Sequence, residues 1–152
     1  MLTSQNKKII LDEALQLLNE KITNLNTDLI DLSAGLQNDT KSSAGDKHET
    51  ARAMNQLEQE KLQHQLAEFL RQKEMLTQTE ITTNSSVITS GSLFQTNNGL
   101  FFLSIPLGRV PTTVGQIMII SPQSPLGKAF LGKRKGDTVE YNTSTYMVSD
   151  II

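Results

Sequence analysis

Apolar residues in the first part of the chain repeat at alternating intervals of four and three. They are Leu11, Leu15, Leu18, Ile22, Leu25, Leu29 and Leu32. This spacing is the a/d repeat of a left-handed coiled coil, and it predicts one long helix that reaches Gly35. So narrow an apolar stripe cannot support a globular core by itself. The pattern therefore predicts that this helix needs a partner helix.

A second helical pattern follows a polar, turn-forming stretch at residues 37–44. The four-three spacing resumes at Leu62, Leu66, Phe69 and Leu76. Lys73 occupies the intervening position, while Met54 and Leu57 fall on a different phase of the helix. This difference in phase predicts a slip in the seam near residues 58–61.

The two helical patterns together predict an antiparallel coiled-coil hairpin as the first domain, residues 1–78, with its tip near residues 37–49. A parallel dimer through the first helix is the alternative, because an unbroken heptad also suits self-association. We expect the hairpin, and hence a monomer.

In the second half, residues 79–152, short apolar runs alternate with turn-forming residues, as in a small sheet domain. Strands are predicted at residues 87–94, 100–105, 117–120, 138–141 and 145–149. Pro106 and Pro111 mark the stretch between the second and third of these as a loop. Ser124 as N-cap and Pro125 at the first helical position open one short helix, which Gly132 ends. The fold class predicted for the whole chain is α+β.

Composition narrows the class of protein without indicating a chemistry. Apolar residues are 37% of the 152, below the globular average of about 45–50%, which agrees with a hairpin seam and one small core. The net charge of -2 is too small to indicate binding of nucleic acid or membrane by the whole surface. The absence of Cys is compatible with a reducing compartment. With no signal peptide or spanning segment evident, we expect a soluble, cytoplasmic protein.

The candidate chemistry lies at the start of the second helix, in Gly45-Asp46-Lys47-His48-Glu49-Thr50. Asp46 and Glu49 are three residues apart, so on a helix they lie on one face. Mg²⁺ is commonly held by one or two carboxylates together with water. The alternative is purely structural, because Asp followed three residues later by Glu is close to a capping box.

Two motifs resemble the bacterial GreA/GreB transcript cleavage factors. The longer is the run from Ser124 to Glu140, Ser-Pro-Leu-Gly-Lys-Ala-Phe-Leu-Gly-Lys-Arg-Lys-Gly-Asp-Thr-Val-Glu, which is similar to that family's C-terminal signature without a gap. The shorter is the run from Gly45 to Ala51, which resembles the family's tip motif, Gly-Asp-x-x-Glu-Asn-Ala. The order of hairpin and sheet domain also agrees with the family.

The resemblance implies a fold and a function. The C-terminal domain would be FKBP-like and would dock at the rim of the secondary channel of RNA polymerase, with Ser124, Pro125 and Leu126 as partner-binding residues. The hairpin would enter the channel, where Asp46 and Glu49 would help the polymerase to cleave backtracked RNA with a shared Mg²⁺. The factor would meet the RNA and DNA of the elongation complex indirectly, and would not be an enzyme alone. Candidates for RNA contact are Lys41, Lys47 and Arg52.

Departures from the family pattern keep other functions open. Thr50 stands where the family has Asn, and three basic residues balance three acidic residues between Asp39 and Arg52. A regulator that occupies the channel without stimulating cleavage is the first alternative. A coiled-coil interaction protein unrelated to transcription, or an isomerase-like enzyme, is the second.

Overall fold

The computed structural model describes residues 1–39, 45–79 and 84–152. It consists of two long helices followed by a sheet with one short helix, which confirms the predicted α+β class. In chain order the elements are α1 (Ser4–Asp39), α2 (Gly45–Thr77), β1 (Leu93–Thr96), β2 (Gly99–Leu103), β3 (Gly108–Thr112), β4 (Gly115–Ile120), α3 (Pro125–Phe130), β5 (Thr138–Tyr141) and β6 (Ser144–Ile151). None of the helices in the described residues is both long and apolar enough to cross a bilayer.

The chain divides into two compact units, one of residues 16–74 and one of residues 1–15 with residues 75–152. The predicted division assigned residues 1–15 to the hairpin because the helix is continuous there. In the structure these residues are the start of α1 and also belong to the unit that contains the sheet. The assignment of residues 1–78 and 79–152 to separate functional domains stays a prediction.

Within the unit of residues 16–74, α1 and α2 run in opposite directions. Lys21 near the start of this unit lies over the ring of Phe69, with its Nζ 5.6 Å from the ring centroid. Further along α1, the hydroxyl oxygen of Ser33 accepts a hydrogen bond of 2.9 Å from Gln59 Nε2. Partner numbers in α2 fall as numbers in α1 rise, so the helices pair as an antiparallel hairpin.

The inward face of α2 keeps one heptad phase through this unit. Its partly buried positions recur at Asn55, Gln59, Leu62, Leu66 and Phe69, in steps of four and three. Met54 and Leu57 are 65% and 66% exposed. The predicted slip near residues 58–61 is therefore wrong, because the heptad phase continues through it. Two positions of this phase hold the amide side chains of Asn55 and Gln59, so the pattern of apolar residues alone did not reveal it.

In the described residues the sheet has six strands in the order β3-β4-β2-β1-β6-β5, and among these only the pair β2 and β4 is parallel. All four residues from Leu100 to Leu103 in the central strand β2 are buried. A strand covered on both faces reads as a continuous apolar run. On one face, the buried side chains of Phe94, Phe101 and Phe130 pack with ring centroids 4.8 to 5.5 Å apart.

Two sequence predictions for the sheet are corrected by the structure. Gly108–Thr112, predicted as a loop, is strand β3. It lies at the edge of the sheet. An edge strand tolerates Pro111, because proline has no backbone N–H to donate to a neighbouring strand. The strand predicted at residues 87–94 begins only at Leu93, because Thr89 to Ser92 form a turn with Gly91 at a φ of +90°.

Candidate functional site

The candidate tip lies where α1 ends and α2 begins. Helix α2 starts at Gly45, so the backbone of Asp46 and Glu49 is helical and the two residues lie within its first five positions. Residues three apart on a helix share a face, as the sequence predicted. Glu49 is exposed. The side chain of Asp46 lies outside the part of the chain that the structure describes.

The structure describes the three candidates for RNA contact to different extents. Arg52 is in α2, exposed, and three residues beyond Glu49. Lys47 belongs to the first turn of α2, but its side chain is outside the described part of the chain. Lys41 is outside the described residues altogether. Their contact with RNA stays a prediction.

The chemistry available at this turn is that of a partial metal site. In the described ranges, 1–39, 45–79 and 84–152, no group of three or more His, Cys, Asp or Glu side chains could hold a metal ion. A single exposed carboxylate such as that of Glu49, even with a second carboxylate on the same face, leaves most positions around Mg²⁺ to water or to other ligands. A shared Mg²⁺ therefore stays a prediction, with Glu49 as its exposed carboxylate.

The short helix α3 is built by the first part of the C-terminal motif. The Oγ of Ser124 accepts a 3.0 Å hydrogen bond from Gly127 N and donates one of 2.7 Å to the carbonyl oxygen of Ser121. Pro125 follows at the first helical position, where its missing N–H is not needed. A Cβ built on Gly127 would overlap the carbonyl oxygen of Ser121. The predicted cap and helix start are confirmed.

The second part of the motif joins α3 to the sheet. Phe130 is fully buried among the aromatic rings. Gly132, at a φ of +81°, donates its N–H to the carbonyl oxygen of Ile88 over 2.9 Å. Asp137 closes the following turn by accepting a 2.8 Å hydrogen bond from Arg134 N. Most conspicuous residues of the motif thus have a role in folding the domain.

The predicted partner-binding residues differ in what they present to solvent. Ser124 uses its hydroxyl for the cap, and Leu126 packs against the core. Pro125 is exposed, and so is Lys128 one helical turn further along. Leu131, the C-cap residue of α3, is 39% exposed. Pro125, Lys128 and Leu131 are thus residues in and beside α3 that a partner could reach. Sequence reasoning did not single out the last two.

A charged residue that sequence reasoning missed altogether is Lys7. Its relative exposure is 2%, and desolvation by this burial lowers its pKa. The signal was present in the sequence, because Lys7 is three residues before Ile10 and seven before Ala14, both fully buried. A helical period traced backwards from these residues leads to Lys7.

Comparison with known proteins gives one family match. A family model described as "Transcription elongation factor, GreA/GreB, C-term" matches residues 112–151. The matched residues include α3 and the two closing strands. A search of curated proteins finds no significant match.

Among solved structures, the crystal structure of GreA factor homolog 1 (Gfh1) of Thermus thermophilus is 20% identical, covering 91% of this chain and 94% of its own, with a TM-score of 0.36. A structure of the transcription factor Gfh1 is 22% identical, covering 90% and 92% of the two chains, with a TM-score of 0.35. At these TM-scores the likeness carries no weight for fold or function. By the family match, residues 112–151 are therefore similar to the C-terminal domain of GreA/GreB transcription elongation factors.

Proposed function

We propose that this protein binds RNA polymerase at its secondary channel and carries Asp46 and Glu49 to the active site, where they assist cleavage of backtracked RNA. The observation that carries the proposal is the family match at residues 112–151. The motif from Gly45 to Thr50 supports it independently, because it opens α2 as the resemblance requires. The polymerase supplies the catalytic centre, and this chain contributes residues to it.

The two carboxylates have a defined task in this proposal. Phosphodiester hydrolysis by two metal ions requires one ion to generate the nucleophile and one to stabilise the leaving oxygen. Mg²⁺, when bound between polymerase and factor, would supply that charge stabilisation. Asp46 and Glu49 would bind the ion directly or orient its water, and their position on one helical face would let both act on the same ion. The exposure of Glu49 leaves its carboxylate available for this.

Cleavage in backtracked elongation complexes tests the proposal. The RNA is labelled at its 5′ end, and its shortening is followed with and without the protein at fixed Mg²⁺. We expect the intact protein to accelerate cleavage, and Asp46→Asn with Glu49→Gln to reduce that acceleration about 10–100-fold, as loss of metal-orienting groups commonly does. Glu58→Gln with Glu60→Gln is the matched control, since it removes two exposed carboxylates of the same helix. Absence of acceleration by the intact protein would contradict the proposal.

A second candidate function is occupation of the channel without cleavage. The observation that favours it is the balance of charge around the tip, where Lys41, Lys47 and Arg52 offset Asp39, Asp46 and Glu49. Such a protein would bind polymerase and leave cleavage unchanged or suppressed. A competition assay for polymerase binding, run beside the cleavage assay, separates this result from a failure to bind.

A further inference from the structure

A cavity of about 460 Å³ lies in the unit that contains the sheet and is lined by residues of β2, β3, β4 and β6. The volume is within the range of about 300–1,000 Å³ that is usual for small-molecule sites. Its lining includes Phe101, Arg109, Met118 and Tyr146. The proposed function makes no use of this cavity, and the inference drawn from it does not rest on that function.

Three of these side chains stand in one row across the sheet. Arg109 of β3 pairs with Met118 of β4, which in turn pairs with Phe101 of β2. Residues paired in this way project from the same face of a sheet. Phe94 of β1 continues the row, since it pairs with Phe101 and the two rings stack with their centroids 5.5 Å apart. Along the row the side chains change from a guanidinium to a thioether and then to two aromatic rings.

The row is covered at its aromatic end and accessible at its basic end. Phe130 of α3 packs against Phe94 and Phe101 with ring centroids 4.8 and 5.3 Å away, and both of these rings are buried. Met118 is half-buried, and Arg109 at the edge of the sheet is exposed. The accessible end of the row is therefore the end that Met118 and Arg109 contribute to the cavity.

Tyr146 gives the cavity an aromatic side. Its ring meets that of Phe101 edge-on, with the centroids 5.8 Å apart. It is half-buried, so part of the ring is open to a molecule in the cavity. Aromatic rings attract further rings in offset or edge-on arrangements, and the thioether of Met118 makes favourable contacts with ring edges. The cavity therefore suits a flat apolar ring beside Tyr146 and Met118.

Arg109 adds a requirement for charge. A guanidinium presents a planar fork of N–H donors that matches the two oxygens of a carboxylate. Because neighbouring strands are about 4.8 Å apart, the backbone of Arg109 lies about 10 Å from that of Phe101. A ligand that contacts both the basic and the aromatic side of the cavity therefore needs its carboxylate joined to its ring by a short linker.

We propose that this cavity binds a small aromatic carboxylic acid in its ionised form. The ring packs against Met118 and Tyr146 and extends the aromatic cluster beneath α3. The carboxylate accepts hydrogen bonds from Arg109, whose charge is complementary to it. An acid without a ring, or a ring without an acid, meets only half of the site.

Titration of the intact, ¹⁵N-labelled protein with 3-phenylpropionate at pH 7 and constant ionic strength tests the site. We expect saturable changes of amide chemical shifts in β2 and β4, with a Kd of about 1 mM or tighter. Acetate, which lacks the ring, and 3-phenylpropanol, which lacks the charge, should each bind about tenfold more weakly or worse. 3-Cyclohexylpropionate, which keeps the charge on a non-aromatic ring, should bind a few-fold more weakly.

Substitution tests the guanidinium. Arg109→Met should weaken binding of 3-phenylpropionate about tenfold or more, and Arg109→Lys should keep part of the affinity because it keeps the charge without the fork. Arg134→Met removes another exposed arginine of the same unit, and this matched control should bind like the wild type. Because Arg109 is exposed, its variants should keep the fold, which their amide spectra report.

Overhauser effects in the wild type place the ligand without any substitution. We expect them between the ring protons of 3-phenylpropionate and the methyl group of Met118. The proposal is overturned by a wild type without saturable shifts, by equal affinity for any of the three other compounds, by undiminished binding in Arg109→Met, by equal loss in Arg134→Met, or by Overhauser effects confined to residues outside the cavity.

Discussion

At the scale of single residues, the backbone of Ser121 leaves room only for glycine at position 127. Any Cβ there overlaps the carbonyl oxygen of Ser121, the same oxygen that accepts from Ser124 Oγ. Gly132 differs, since its φ of +81° demands a glycine while the space around it is open. Gly127 and Gly132 are thus required for different reasons.

These reasons predict different costs for alanine. Gly127→Ala should lower the free energy of unfolding by about 3 kcal/mol or more, because backbone must move to accept the methyl group. Gly132→Ala should cost only the strain of a left-handed residue, about 1–2 kcal/mol. Urea denaturation followed by tyrosine fluorescence measures both. Equal costs would contradict the steric explanation.

The burial of Lys7 gives a prediction about pH. Its pKa is lowered in the folded protein by desolvation, whereas in the unfolded chain the pKa of a lysine is about 10.4. Between these two values the unfolded state binds more protons, so stability rises with pH. The cost of burying the charge is complete below the lowered pKa and disappears as pH approaches that of the unfolded lysine.

Lys7→Met should therefore be more stable than the wild type at pH 7, and its advantage should shrink towards pH 10. Urea denaturation at several pH values gives the difference between the two proteins. Lys8→Met, at an exposed position, is the matched control for loss of a lysine charge. Parallel curves for Lys7→Met and the wild type would contradict the prediction.

At the scale of elements, the seam of the hairpin changes character along its length. In the later part of α2, the inward face carries Leu62, Leu66 and Phe69. In the part nearer Gly45, the same face carries Asn55 and Gln59. Gln59 is satisfied by Ser33, but Asn55 Oδ1 is buried without a hydrogen-bond partner in the described part of the chain. A polar seam residue specifies register at a cost in stability.

Asn55→Leu should raise the free energy of unfolding by about 1 kcal/mol, because it removes a buried acceptor that has no partner and adds apolar contact. Gln56→Leu, at the adjacent exposed position, should change it by less than about 0.5 kcal/mol. Denaturation followed by helical circular dichroism measures both variants. A loss of stability in Asn55→Leu would show that the amide is needed where it stands.

At the scale of the whole molecule, the antiparallel pairing of α1 with α2 favours the hairpin over the parallel dimer. The face of α1 that carries the heptad is opposed by α2 of the same chain, as the contacts of Lys21 with Phe69 and of Ser33 with Gln59 indicate. We therefore expect that face to be occupied within one chain. We expect sedimentation equilibrium to give one species near 16.8 kDa at all loading concentrations. A mass that rises to the dimer with concentration would favour pairing between chains.

The sequence by itself determined the elements whose signal is local. The heptad from Leu11 to Leu32 predicted α1 because burial of one face imposes a helical period. Ser124 and Pro125 predicted the start of α3 because a cap acts within three residues. The C-terminal motif could be read as a fold signature for the same reason, since most of its conspicuous residues cap, turn or pack locally.

Only the tertiary structure decided what depends on partners distant in the chain. Pro111 became part of an edge strand because β4 pairs with it on one side and the other side is open. Asn55 was assigned to the seam by the facing helix, not by its own polarity. Lys7 became a buried cation because the elements that cover it lie more than 60 residues further along the chain. A local sequence pattern shows how often a buried position recurs along an element. Only the fold specifies which distant residues cover those positions.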